Sequence, residues 1–291
     1  MRTIEQIIEL LNIKTKSLNL KKVLYDKYIK QNINYSVLNQ YPELLSIFKN
    51  SFKIDLKQID WYHMSMYQKL SESFISEFKD NLKWYHISKF QKLTEDFIRE
   101  NKDNVNWDYI SKYQNLSESF IIEFKNKVSW SNISAYQKLT ESFITKFQDK
   151  VQWSNISHFQ KLSKSFIKKH NLKLNYDSWL YKDGDFKLEA IRNTGLYVVI
   201  DDYVYGFKGI RSNRYSAFNF QYQYFSGVEY ECHADFNNNH ENSFGLSVWT
   251  KEKATEYCDE LVIEVKIHKD DLAALVHNGG KIRCQKFTIL S

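Results

Sequence analysis

The chain has 291 residues, 43% of them hydrophobic and 26% charged, with a formal net charge of +6. This is an ordinary composition for a globular protein and leaves room for two domains. No apolar run approaches the roughly 18 residues of a membrane span, and three scattered cysteines without a CxxC pair, Cys232, Cys258 and Cys284, read as free thiols in a reducing compartment.

Residues 1–34 begin MRTIEQIIELLNIK, where Ile4, Ile7, Ile8 and Leu11 follow helical spacing. Glu5 and Glu9 inside that stretch argue against a secretory signal. The segment is expected to be a helical cap on the neighbouring repeats. A degenerate unit comes next, with Tyr35, Leu38, Tyr41, Leu44, Phe48 and Phe52, and with the only proline of the chain, Pro42.

The regular array starts at Trp61. Trp61, Trp84, Trp107, Trp130 and Trp153 stand 23 residues apart, and the whole unit recurs with them: WDYISKYQNLSESFIIEFKNKVS, then WSNISAYQKLTESFITKFQDKVQ. A fixed period of this size is the mark of a stacked repeat architecture. Each unit reads as two short helices. Trp107, Ile110 and Tyr113 make one stripe of the first helix. Ser117 is an N-cap for the second, with Glu118 in its first turn and Leu116 and Ile121 at the staple positions. Ser71, Thr94, Thr140 and Ser163 take the cap position in the other units. The Trp, Ile, Tyr/Phe, Leu and Phe/Ile/Phe positions are expected to form one core, because a single hairpin of this length cannot bury its own aromatic face.

The pattern stops at Tyr176, and all eight glycines lie after residue 183, which places a boundary near 175–184. From there the sequence turns to short strands: LYVVI (196–200), YVYGFKG (203–209), GVEYEC (227–232), LVIEVKI (261–267) and KIRCQKFTIL (281–290). Thr250 caps one helix, KEKATEYC (251–258), and Asn278-Gly279-Gly280 signals a turn. The expected fold class is α+β overall: a cap over 1–34, an all-α helical-repeat solenoid over 35–175, and a small α+β domain over 184–291. Residues 1–175 hold 28 Lys and Arg against 18 Asp and Glu, a net of +10; residues 176–291 hold 13 against 17, a net of −4.

The unit W-x-x-I-S-x-[YF]-Q-x-L-[ST]-E-x-F-I resembles repeats of giant DNA virus proteins related to those of mimivirus. The carboxy-terminal stretch is similar to a domain of unknown function in those viruses and in some phages, through Tyr205-Gly206-Phe207-Lys208-Gly209, Cys232, Gly245-Leu246-Ser247-Val248-Trp249, Ala254, Tyr257 and KIRCQKFTIL. Members often carry Gly-x-His where this chain has Gly245-Leu246-Ser247. The resemblance implies a viral origin and a place in the host cytoplasm or the virion, and it implies no activity.

Candidate binding residues are the pairs Gln68-Lys69, Gln91-Lys92, Gln137-Lys138 and Gln160-Lys161, which stacking would align as a polar row. Ser65, Ser88, Ser111, Ser134 and Ser157 would form a second row. Both rows read either as a ladder for an extended partner or as groups that satisfy backbone polar atoms between units, the second being the stronger reading. Cys232, His233, Asp235 and His240 in CHADFNNNHEN are metal-ligand types. Their spacing matches no finger, so a polar inter-strand loop is preferred and no cofactor is expected. An order of YGFKG, GLSVW, KEKATEYC and LVIEVKI is analogous to ADP-ribosyltransferase folds, with Ser247 in the histidine position and Glu260 or Glu264 as carboxylate. The expected function is a non-catalytic scaffold that binds a protein partner. Sequence-tolerant nucleic-acid binding is the alternative, and the α+β domain offers an oligomer contact.

Overall fold

The computed structural model describes residues 54–173 and 179–290, together with Asn39, Pro42, Leu45 and Ser46. The expected cap over 1–34 and most of the degenerate unit lie outside the described residues. The chain divides into two compact units, residues 1–105 and 106–291.

In the first unit, two repeats form helices α1 (Trp61–Tyr67), α2 (Glu72–Glu77), α3 (Trp84–Phe90) and α4 (Glu95–Glu100). In the second, three more form α5 (Trp107–Tyr113), α6 (Glu118–Glu123), α7 (Trp130–Tyr136), α8 (Glu141–Lys146), α9 (Trp153–Phe159) and α10 (Lys164–Lys169). The cap residues behave as expected: the hydroxyls of Ser71, Thr94, Ser117, Thr140 and Ser163 each accept the amide of the phenylalanine three residues on, at 3.2 Å. The Ile of the first helix (Met64 in the first repeat) and the Phe-Ile pair of the second are buried, as in Ile133, Phe143 and Ile144, except that Ile167 of the last repeat is half-buried.

Helices of six or seven residues do not persist alone, and within each compact unit the recurring polar residues bind neighbouring repeats together. Ser65 Oγ donates to Trp61 O and accepts the amide of Lys83, the residue just before the next tryptophan. Ser134 does the same between Trp130 O and the Gln152 amide, and Ser111 accepts from Ser129. The glutamines reach backwards. Gln137 Nε2 donates to Ser111 O and Gln114 O, both at 2.9 Å, while its Oε1 accepts Leu116 N–H at 3.1 Å. Gln91 and Gln160 repeat all three bonds, two units earlier and one unit later. A third tie runs along the second helices: the carboxylates of Glu72, Glu118 and Glu141 accept the amides of Thr94, Thr140 and Ser163.

The five tryptophans stand half-buried rather than in the core, which corrects the expectation for them. Four indole N–H groups donate to the carbonyl five residues upstream, on Leu56, Lys79, Lys125 and Gln148, at 2.9–3.1 Å. To reach a carbonyl in a surface turn, the indole lies over the phenylalanines of the second helix, as Trp130 does 5.2 Å from Phe147 and 6.1 Å from Phe143. Its inner side is covered and its outer edge meets solvent, the usual position of a large ring with one polar atom.

After the repeats, a 3-10 turn at Trp179–Tyr181 buries Trp179 and Leu180, and α11 (Gly184–Arg192) follows, capped by Asp183. The strands are β1 (Val198–Ile200), β2 (Tyr203–Ile210), β3 (Glu229–Glu231), β4 (Leu246–Trp249), β5 (Leu261–His268), β6 (Leu272–Val276), β7 (Lys281–Cys284) and β8 (Lys286–Ile289), with α12 (Lys251–Tyr257) between β4 and β5. All pairings are antiparallel, in the order β3-β8-β5-β2-β4-β7-β6, with β1 also on β2. The expected last strand is two strands that break at Gln285, and α11, β4 and β6 are additions to the expected elements. Helix α12 lies so close across β2 that a Cβ on Gly209 would stand 2.3 Å from Ala254 O, so only glycine fits there.

Within the second unit the sheet domain rests on the repeats. The Phe244 ring lies 4.7 Å from Tyr136 and 5.6 Å from Phe159, Lys138 pairs with Glu231 at 3.1 Å, and Gln221 Nε2 donates to Tyr113 O. The aromatic position that precedes each glutamine is therefore the ledge on which this domain sits.

Candidate functional site

The stacking divides the expected polar row in two. Gln91, Gln137 and Gln160 are 1%, 5% and 2% exposed, and their carboxamides are committed to the preceding unit. Gln68 is half-buried, and its carbonyl accepts from Gln91. Lys69, Lys92, Lys138 and Lys161 are exposed. The glutamine and serine rows thus do what the backbone-satisfying reading requires, and only the lysines face outward. The charge is uneven too: residues 54–105 hold 8 Lys and Arg against 9 Asp and Glu, a net of −1, whereas residues 106–173 hold 11 against 5, a net of +6.

The CHADFNNNHEN stretch is a pinned loop. Asp235 is fully buried; its carboxylate accepts from His240 Nδ1 at 2.8 Å and from the Asn237 amide at 2.9 Å, and it lies 3.5 Å from Arg283 Nη1. Arg283, on β7, is equally buried and donates to the carbonyls of Asp235 and His240. One buried ion pair therefore ties β7 to the loop. The Cys232 thiol turns inward, and burial pushes its pKa up to about 12. His233 points the other way, toward the repeats. Its ring is 5.4 Å from Phe244, with the backbone of Ala135 and Phe159 beside it, and neither nitrogen has a hydrogen-bond partner within bonding geometry. Among the described residues no three His, Cys, Asp or Glu side chains are placed to hold a metal ion; Asp235 and His240 meet, while Cys232 and His233 turn away from them and from each other. His240 Nε2 meets Asn237 Nδ2 at 3.4 Å rather than a hydroxyl or thiol nucleophile.

Burial, with Lys138 adding repulsion, lowers the His233 pKa to about 4. The folded state therefore favours the neutral ring, so the contribution is complete above pH 6.5 and is lost as pH falls toward 4. The second unit is expected to lose on the order of 2–3 kcal/mol across that window. His233→Gln should remove most of this dependence in denaturant titrations at pH 7 and pH 4.5. An unchanged pH profile in the variant would rule out the imidazole as its source.

Three lysines that composition gave no reason to single out are buried in the sheet domain. Lys187 Nζ donates to Leu272 O and lies 5.3 Å from the Phe236 ring; Lys208 donates to Ser247 O, 5.2 Å from Tyr224; Lys281 donates to Glu241 O, 4.9 Å from Trp249. Each amine has one carbonyl and one aromatic face, and burial lowers all three to about 8. The alternation of polar and apolar residues in YGFKG and KIRC would have placed Lys208 and Lys281 on a solvent face.

A cavity of about 270 Å³ is lined by Glu241, Trp249, Lys253, His277 and Asn278. The Trp249 ring there is already flanked by Tyr257 at 5.8 Å and His277 at 5.4 Å. Of the residues in the transferase analogy, Ser247 lies on β4 opposite Arg283 of β7, Glu264 lies on β5 opposite Phe207, and the Glu260 carboxylate accepts the Ser212 amide. No known protein family, curated protein or solved structure matches this chain. What marks the surface is its own chemistry. The position after each tryptophan is exposed in every unit and changes from Tyr62 and Tyr85 to Asp108, Ser131 and Ser154. Among the described residues, no helix is long and apolar enough to cross a membrane.

Proposed function

We propose that the chain is a non-catalytic interaction protein whose repeat array presents its outward positions to a protein partner. The observation that supports this is the division of labour inside the repeat. Residues that recur from unit to unit, the Ser, Gln and Glu ties, are consumed between units, while the exposed position after the tryptophan varies in size, charge and polarity. In stacked-repeat proteins that division separates scaffold from recognition surface. Tyr62, Tyr67 and Tyr85 are 56%, 46% and 51% exposed, and tyrosine is a residue type favoured in the centres of protein interfaces. The sheet domain serves as a second contact or an oligomer interface. The resemblance of the repeat unit to those of giant DNA virus proteins is what supports a place in a host cytoplasm or a virion for this activity.

The test is capture from nuclease-treated lysate of infected cells by the full chain and by a Tyr62→Ser, Tyr67→Ser, Tyr85→Ser variant. The parent should retain a defined protein, and the variant should lose it while melting at the same temperature. Capture that disappears with nuclease, or that the variant retains in full, would overturn the proposal.

A further inference from the structure

The last repeat differs from the others in one chemical respect. In earlier units, Glu72, Glu118 and Glu141 open the second helix and hold the cap residue of the following unit. Lys164 occupies that position in the last unit, where the repeat pattern ends and no following cap needs a carboxylate. The change extends beyond this residue. No Asp or Glu occurs between Asp149 and Asp177, a stretch that contains Lys150, Lys161, Lys164, Lys168, Lys169 and Lys173. All six lysines are exposed, and among the described residues none of them is in an ion pair. Lys164 and Lys168 stand four apart on one face of α10, and Lys161 lies three residues before Lys164, ahead of the cap Ser163.

We propose that this lysine face binds the phosphate backbone of double-stranded nucleic acid without sequence preference. A terminal repeat needs a polar outer surface for solubility, but a mixed-charge surface would meet that need, and complementing the helix dipole calls for cations only in the last turn of α10. Neither requirement removes every carboxylate from the unit. The occupant is limited by what the face lacks. No exposed large hydrophobic side chain lies between residues 146 and 173, so neither an apolar interface anchor nor a membrane-inserting side chain is offered. Trp153 and Phe166 are packed on His170, and Phe159 on Phe244, so the aromatic rings that would stack unpaired bases are engaged. A regular array of phosphates is the ligand that needs cations alone, because its binding is driven by counterion release.

The experiment titrates a fluorescein-labelled random-sequence DNA duplex with the full chain between about 50 and 200 mM salt. Contacts from Lys161, Lys164, Lys168, Lys169 and Lys173 give an expected log–log slope of about −4.5, at about −0.9 per phosphate. Changing Lys164, Lys168, Lys169 and Lys173 to Gln should flatten that slope by about 3.6 and weaken binding to every sequence alike. Arg at the same four positions should preserve binding, and Lys69→Gln with Lys92→Gln should leave it unchanged. The proposal is overturned if the quadruple Gln variant keeps the parental slope while melting normally. It is also overturned if the parent binds phosphatidylserine vesicles or polyglutamate as well as it binds duplex at equal salt.

Discussion

Replacing Gln137 with leucine should destabilise the second unit by about 3–6 kcal/mol, far more than a polar-to-apolar change at a surface position. The side chain is 5% exposed and serves Ser111 O, Gln114 O and Leu116 N–H at once. Leucine fills much of the space and supplies none of the bonds. Each orphaned group costs about 1–3 kcal/mol when water cannot reach it, and partial hydration of the turn lowers the sum. Because coupling in a stacked array runs between neighbours, the unfolding curve should also broaden or split as the tie between the 107 and 130 repeats is lost. Lys125→Ala, on an exposed turn, should stay within about 0.5 kcal/mol of the parent. Denaturant unfolding followed by circular dichroism measures both. A Gln137→Leu midpoint equal to that of Lys125→Ala would show that the carboxamide bonds hold nothing together.

The second large effect belongs to Arg283. Arg283→Met keeps the length of the side chain and leaves the Asp235 carboxylate buried without its cation, a change that costs about 3–5 kcal/mol. It also removes the donors to the carbonyls of Asp235 and His240, so the loop from Ala234 to Phe244 should exchange its amides faster. Asp235→Asn alone should be costly too. The double variant should be at least about 1 kcal/mol more stable than the sum of the single losses, since removing both charges avoids an isolated buried one. Strict additivity in that double-mutant cycle would show that the pair is not energetically coupled.

Much of this architecture can be read locally. The period of the tryptophans shows as plain repetition of the sequence, the Ser/Thr caps and the buried Ile and Phe-Ile positions depend on residues a few positions apart, and the helices start where those caps place them. The fate of the glutamines depends on partners 21 to 26 residues away, so a polar residue after an aromatic one looks like surface until the units are stacked. Arg283 is a sharper case. Its partner is 48 residues distant, and nothing in KIRC indicates a buried cation. The strand β6, LAALV, carries no alternation because nearly all of it is buried, and a short uniform apolar run does not distinguish strand from helix. The four metal-ligand types lie close together in sequence, yet β-strand and loop geometry send Cys232 inward, His233 to the repeats and Asp235 to Arg283.

The backward reach of the glutamines has an evolutionary side. Their three bonds always span 21, 23 and 26 residues, and the serine bond always spans 18. A single inserted or deleted residue inside a unit would move donors and acceptors out of step at the junctions it spans. Duplication or excision of a whole unit leaves every offset intact. The offsets therefore favour change of length in complete modules, with the module itself held at 23 residues.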